Sequence, residues 1–154
     1  RYLDRLHLSV EVLDELKQFR IIKFLFQPVL ENAILHGLLP DAGLHIHIAI
    51  RQTGRCITND IEDDGEGMSP KRLQEVKTCI NDPAKAAQPS SAKGTFIGLK
   101  NISQRLKLFY REQAQLTIHS KEHQGTTVTI RIPVDTPSPV TDSAHCQARN
   151  GQDT

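Results

Sequence analysis

Residues 27–37 read Gln-Pro-Val-Leu-Glu-Asn-Ala-Ile-Leu-His-Gly, inside the most apolar stretch of the chain, 21–39. That stretch reads as a buried helix starting near Phe24. Pro28 fits only in its first turn, where no intrahelical partner is lost. Gly37 marks its stop. The polar pair Glu31-Asn32 interrupts the apolar helix. Asn32 and His36 are four apart, so they share a helix face. A buried polar group left unpaired costs about 1–3 kcal/mol. Either both face a cavity and hold a ligand or metal, or they form a satisfied polar pair at a helix end. The helix alone leaves both readings open.

Downstream, residues 45–51 alternate polar and apolar, with Ile46, Ile48 and Ile50 on one face. Thr53-Gly54 turns, and residues 56–62 return, which makes a hairpin. Asp63-Asp-Gly-Glu-Gly67 ends it sharply. Glycines there let backbone approach a ligand closely. A carboxylate at the strand end can accept from the amino group of a base. The alternative is a solvated acidic turn. Calcium would require the EF-hand spacing, which is missing.

Ser69 and Pro70 open a short helix as cap and first residue, with Leu73, Val76 and Ile80 as its apolar side. Residues 81–96 form a long polar loop, the kind that serves as a lid or stays disordered. Gly94-Thr-Phe-Ile-Gly98 leads into a helix from Gly98 to about Tyr110. Leu99, Ile102, Leu106 and Phe109 make its buried stripe, while Lys100, Gln104, Lys107 and Arg111 face outward. The start of that helix can offer N–H groups to phosphate, although no Walker lysine follows. Strands over 116–120 and 126–133 flank a Gln124-Gly125 turn. At the other end, residues 1–7 read as the end of a helix. Residues 8–12 follow as a strand, on the alternation of Leu8, Val10 and Val12.

The chain has 154 residues, enough for one domain. Lys plus Arg is 19 and Asp plus Glu is 18, a net charge of +1, which argues against nucleic acid held by bulk charge. Cys56, Cys79 and Cys146 are odd in number and far apart. They give neither metal-ligand spacing nor a disulfide framework, so a reducing cytoplasm is expected. No apolar run reaches transmembrane length and no signal peptide opens the chain. The start at Arg1, without Met, suggests a fragment of something larger. Residues 135–154 are Pro, Ser, Thr, Asp and Gln with few apolar side chains, and read as a disordered tail after a domain over 1–134.

Each motif alone is weak, but their order is specific. The 27–37 helix, the 63–67 turn, Ile97-Gly-Leu-Lys-Asn-Ile-Ser-Gln-Arg-Leu106 and Gly125-Thr-Thr-Val-Thr-Ile-Arg-Ile-Pro133 together resemble the ATP-binding domain of the GHKL superfamily. The closer resemblance is to LytS/YesM-type bacterial sensor histidine kinases, over residues 2–133. It implies an α+β Bergerat fold: a two-layer sandwich, with a mixed sheet, helices on one face and a mobile ATP lid over 68–97. The cofactors implied are ATP and Mg2+.

The resemblance also implies roles. Asn32 would coordinate the magnesium, with Glu31 near its water shell or the γ-phosphate. Asp63 would accept from the adenine amino group, supported by Thr126. Gly65 and Gly67 would let the pocket wall approach, and His36 would lie against adenine or ribose. Gly98 and Leu99 would meet the phosphates, with Lys100 and Asn101 nearby. Leu35, Phe96 and Lys23 depart from the family pattern, the first standing where a lysine is frequent.

The implied function is transfer of the ATP γ-phosphoryl to a histidine on a dimerisation domain that is not within these residues. A response regulator would act downstream. This would be the cytoplasmic domain of a bacterial inner-membrane sensor, itself touching neither membrane nor nucleic acid. The rival readings are a nucleotide-binding module without transfer and an ATP hydrolase. The hydrolase pattern has Glu four residues before the Asn, where this chain has Pro28.

Overall fold

The computed structural model describes residues 5–37, 42–81 and 95–134. Five strands carry the fold: β1 (Leu6–Val12), β2 (Leu44–Thr53), β3 (Cys56–Asp63), β4 (Gln115–Ser120) and β5 (Thr126–Pro133). Three α-helices, α1 (Gln27–Gly37), α2 (Pro70–Asn81) and α3 (Thr95–Tyr110), and two short 3-10 turns, Asp14–Leu16 and Arg111–Gln113, complete the described elements. The strand order is β1-β2-β3-β5-β4. β1 runs parallel to β2, and every other pair is antiparallel. The sheet is therefore mixed, as expected.

Register explains how a period-2 pattern becomes a layer. Ile48 pairs with Ile61, Ile61 with Val128, and Val128 with Ile118, so these four side chains cross the sheet on one face. All four are buried, together with Leu44, Ile46, Ile57, Ile130 and Ile132 of the same face. The helices cover that face with Val29 and Ala33 of α1, Val76 and Ile80 of α2, and Leu99, Ile102 and Leu106 of α3. Two polar side chains are buried among the described residues, Asn59 and Ser103, the latter donating from Oγ to the Ile80 carbonyl at 2.9 Å. Asn59 is fully buried and its Nδ2 donates to the Ile130 carbonyl at 3.0 Å.

Several local expectations need correction. α1 begins at Gln27 rather than near Phe24. Phe24 sits in the preceding turn at φ 61, where a helix cannot propagate. Pro28 accordingly falls in the first turn. α3 begins at Thr95, before Gly98. Its buried stripe ends on Tyr110, while Phe109 is exposed, because 3.6 residues per turn carry the stripe past position 109. Leu6 belongs to β1, not to a helix.

The expected lid over 68–97 also changes. α2 packs Val76, Cys79 and Ile80 into the core, so it belongs to the body of the domain. Residues 82–94 of that segment and the tail 135–154 lie outside the described residues.

β1 shows how far the core reaches. Leu8 pairs with Ile46 and Val10 with Ile48, so they share the inner face. Yet Leu8 is 56% exposed and Val10 57%, against 2% for Ile46. The helical layer does not extend over the edge strand. Truncation should read out this difference. Ile46→Ala is expected to lose about 2–5 kcal/mol in urea unfolding, and Leu8→Ala, its register partner, under about 1 kcal/mol because little burial is lost.

Candidate functional site

Register also places the site. Ile46, Asp63, Thr126 and Ser120 form one row across the inner face. This row lies at the end of the sheet, and its members Asp63 and Thr126 open into a cavity. The cavity takes Val29, Asn32, Ala33, His36 and Gly37 from α1, and Asp63, Glu66, Gly67 and Met68 from the end of β3 and its following loop. Arg72 of α2, Leu99 of α3, and Ile118, Thr126 and Val128 of the sheet close it. Its walls are apolar and its polar groups few, the usual make-up of a small-molecule site.

Two glycines set the approach of α1 to this row. A Cβ built on Gly65 would lie 2.3 Å from the Gly37 Cα and 3.0 Å from the Gly37 carbonyl carbon. The end of the helix therefore rests on the turn after β3, backbone against backbone. A Cβ on Gly67, at φ +69, would lie 2.0 Å from the Lys121 carbonyl oxygen. That contact presses the same turn against the β4–β5 connection, where the His123 amide also donates to the Glu66 carbonyl at 2.6 Å.

Asp63 is half-buried at the base of the cavity. Its Oδ1 accepts from the Gly65 amide at 3.0 Å. Burial pushes its carboxyl above the ordinary carboxylate value, with the backbone hydrogen bonds from Gly65 and Thr126 opposing and Asp64 adding to the rise. Asp64 takes the opposite direction. Burial alone would raise it, but the His45 bonds outweigh that and hold it low. The His45 amide donates to its Oδ1 at 2.7 Å, and the His45 Nδ1 meets its Oδ2 at 2.7 Å. His36, across the cavity on α1, is held below its usual value by burial and by the neighbouring Arg72 guanidinium.

The structure brings together Asn32, His36, Asp63, Gly67, Leu99 and Thr126, six residues singled out from sequence, around this one cavity. The other candidates lie elsewhere. Glu31 is exposed and its Oε1 accepts from Gln27 Nε2 at 2.7 Å. One residue from Asn32 is about 100° around the helix, which turns it away. Gly65 sits behind the wall against Gly37. Gly98 packs against Pro28, its built Cβ 3.0 Å from the proline Cβ and 3.8 Å from Asn32 Nδ2. Lys100 is half-buried and Asn101 exposed, and neither lines the cavity.

Sequence reasoning missed Met68 and Arg72. Arg72 did carry a signal: it lies four residues before Val76 and eight before Ile80, on their helix face. Among the described residues, no group of three His, Cys, Asp or Glu side chains converges to hold a metal. No described helix is long and apolar enough to cross a membrane.

An ionised half-buried carboxylate with its pKa raised costs stability when nothing is bound. Asp63→Asn is therefore expected to melt at or above the temperature of the parent chain at neutral pH. The sign follows from linkage: the cost is present above the elevated folded-state pKa and vanishes as pH falls through it. The gap between the two proteins should close on acidification, read by thermal unfolding from neutral pH downward.

Residues 19–136 match the family described as histidine kinase-, DNA gyrase B-, and HSP90-like ATPases. Sensor histidine kinase YesM of Bacillus subtilis is 33% identical over 134 residues, covering 86% of this chain and 20% of that protein. Sensor protein kinase HptS of Staphylococcus aureus is 31% identical over 134 residues, covering 87% of this chain and 24% of that protein. The chain thus spans a fifth to a quarter of the length of these relatives. In fold, it is similar to the catalytic domain of histidine kinase ThkA, with a TM-score of 0.57 at 17% identity over 84% of this chain and 79% of that one. The cavity, the ordered motifs and the mixed sheet under three helices thus have one explanation: the chain belongs to the family of histidine kinase-, DNA gyrase B- and HSP90-like ATPases.

Proposed function

We propose that the cavity binds ATP with magnesium, and that the chain is the catalytic, ATP-binding domain of a two-component sensor histidine kinase. The observation that carries this reading is the convergence of Asp63 and Asn32. An inward carboxylate and a helix amide open into the same apolar-walled space from opposite sides. The carboxylate of Asp63 suits the adenine amino group, because a carboxylate accepts and an amino group donates. Thr126, hydrogen-bonded through Oγ1 to Ser120 Oγ at 2.9 Å, supports the same edge. The side chains of Val29, Ala33, Met68 and Val128 would sandwich the flat ring.

The donor set also fits magnesium. Mg2+ is commonly held by few protein oxygens plus phosphates and water. Asn32 supplies one such oxygen, and the phosphates would supply others. When bound, the ion would neutralise phosphate charge during transfer. His36 is kept neutral, so it would present an uncharged ring beside the sugar. Gly98 and Leu99 would border the phosphates at the start of α3, with Lys100 and Asn101 able to approach from the same turn. Glu31 has no part in this arrangement while it is bonded to Gln27.

The γ-phosphoryl acceptor would be a histidine on a dimerisation domain of the whole protein. A response regulator would receive the group next, and the whole protein would be a membrane-anchored sensor with this domain in the cytoplasm. Hydrolysis is the weaker reading. Pro28 occupies the turn before Asn32 and packs on Gly98, so no carboxylate stands there to activate water.

Calorimetric titration of the chain with ATP tests the site. Magnesium is expected to strengthen binding in the parent chain, and Asn32→Ala to remove most of that enhancement while leaving magnesium-free binding little changed. ATP at about 100 times its dissociation constant should add roughly 2.7 kcal/mol of stability. Absence of binding at millimolar ATP, or an undiminished magnesium effect in Asn32→Ala, would overturn the assignment.

A further inference from the structure

We infer that Arg72 is a nucleotide-contacting residue, whose guanidinium binds phosphate oxygens at the mouth of the Asp63 cavity. This inference rests on the nucleotide reading above and adds to it the group that holds the anionic end.

Local structure fixes where Arg72 stands. Ser69 caps α2, its Oγ accepting from the Arg72 amide at 3.4 Å and its carbonyl from the Leu73 amide at 2.9 Å. Arg72 is thus locked in the first turn, directly after the loop that carries Asp63. It lies on the helix face of Val76 and Ile80, both buried in the core. A charged residue on an inward face must find water or an opposite charge. Arg72 meets the cavity instead of the core, and its side chain is 29% exposed. Its ion pair with Glu75 is 3.8 Å long and partly solvated.

Charge around the cavity gives the guanidinium a ligand to match. Across the opening stands His36, close enough that the Arg72 charge helps to keep its ring neutral. α1 itself contributes no Lys or Arg, and Leu35 is 74% exposed, outside the lining. Among the described residues of the lining, Arg72 is therefore the one permanently cationic side chain, and Asp63 and Glu66 are the carboxylates that share that lining with it. Asp63 occupies the base of the site and suits a neutral donor. A ligand with an amino-bearing ring and an anionic tail satisfies both ends. The guanidinium is a planar fork whose parallel N–H donors match two phosphate oxygens, and it stays charged at any working pH.

Titration of the whole chain with ATP, ADP and adenosine tests this, comparing the parent with Arg72→Gln, Arg72→Lys and Lys71→Gln. Lys71 is exposed on the same turn and outside the lining, so it controls for charge alone. Arg72→Gln is expected to weaken ATP and ADP about tenfold or more, the effect of losing a charge-assisted bond. Adenosine should bind it as well as it binds the parent. Arg72→Lys should fall between, since it keeps the charge and loses the fork. Lys71→Gln should match the parent. Unchanged ATP affinity in both Arg72 variants overturns the inference, as does an equal loss for adenosine, which would mean a packing role for the arginine stem. The two readings fail differently. A parent chain that binds neither ATP nor adenosine removes the nucleotide site itself, and Arg72 falls with it. A parent that binds while the Arg72 variants bind alike removes only Arg72.

Discussion

The contact between Gly37 and Gly65 is the constraint on which the site depends. The two backbones approach so closely that a single methyl on Gly65 would reach the Gly37 Cα at 2.3 Å. That contact seats the last turn of α1 on the turn after β3. It thereby puts Asn32 and His36, one and two turns along one helix face, over Asp63 at the strand end. Separating these elements by the width of a side chain would open the cavity and leave Asp63 facing water. The placement of an amide and a carboxylate around one cavity is thus set by two residues with no side chains.

The adjacent aspartates show how a sheet divides labour. Asp63 points inward and Asp64 is bonded on the other side to His45, because successive residues leave a strand on opposite faces. Burial pushes Asp63 up, and two bonds from His45 hold Asp64 down. The same residue type, side by side in the chain, becomes a cavity-facing acceptor in one position and a structural tie in the other. The tie also secures the loop, since the Asp64 amide donates to the His45 carbonyl at 3.2 Å. His45 thereby joins the first residues of β2 to the turn that carries the site.

Much of this was legible before any coordinates. The alternation through Ile46, Ile48 and Ile50, and the turn at Gly54, determine the hairpin and its buried face. The polar pair Asn32 and His36 on an apolar helix, with the Asp-Gly-Gly turn, marked the residues that meet at the cavity. Other features were harder to read. Glu31 and Asn32 are adjacent in one apolar helix, and only the orientation of α1 on the sheet shows which of them lines the cavity. Arg72 sat among polar residues of a short helix, and its place on the face of Val76 and Ile80 was readable yet went unread. Leu8 and Val10 alternate like core residues, and nothing local tells that the helices stop short of the edge strand.

The sequence by itself determined the types of the central elements and the inward face of each central strand. Those are properties of periodicity, of glycine and proline backbone limits and of side-chain chemistry, all carried within a few residues. Tertiary structure alone decided which polar groups share one space, which of two neighbouring carboxylates is half-buried, and where the core ends. These outcomes depend on strand register and on helix seating, which bring together residues far apart in the chain, such as Asn32, Asp63, Leu99 and Thr126. Burial and distance between such groups are set by the assembled layers, and no local pattern encodes them.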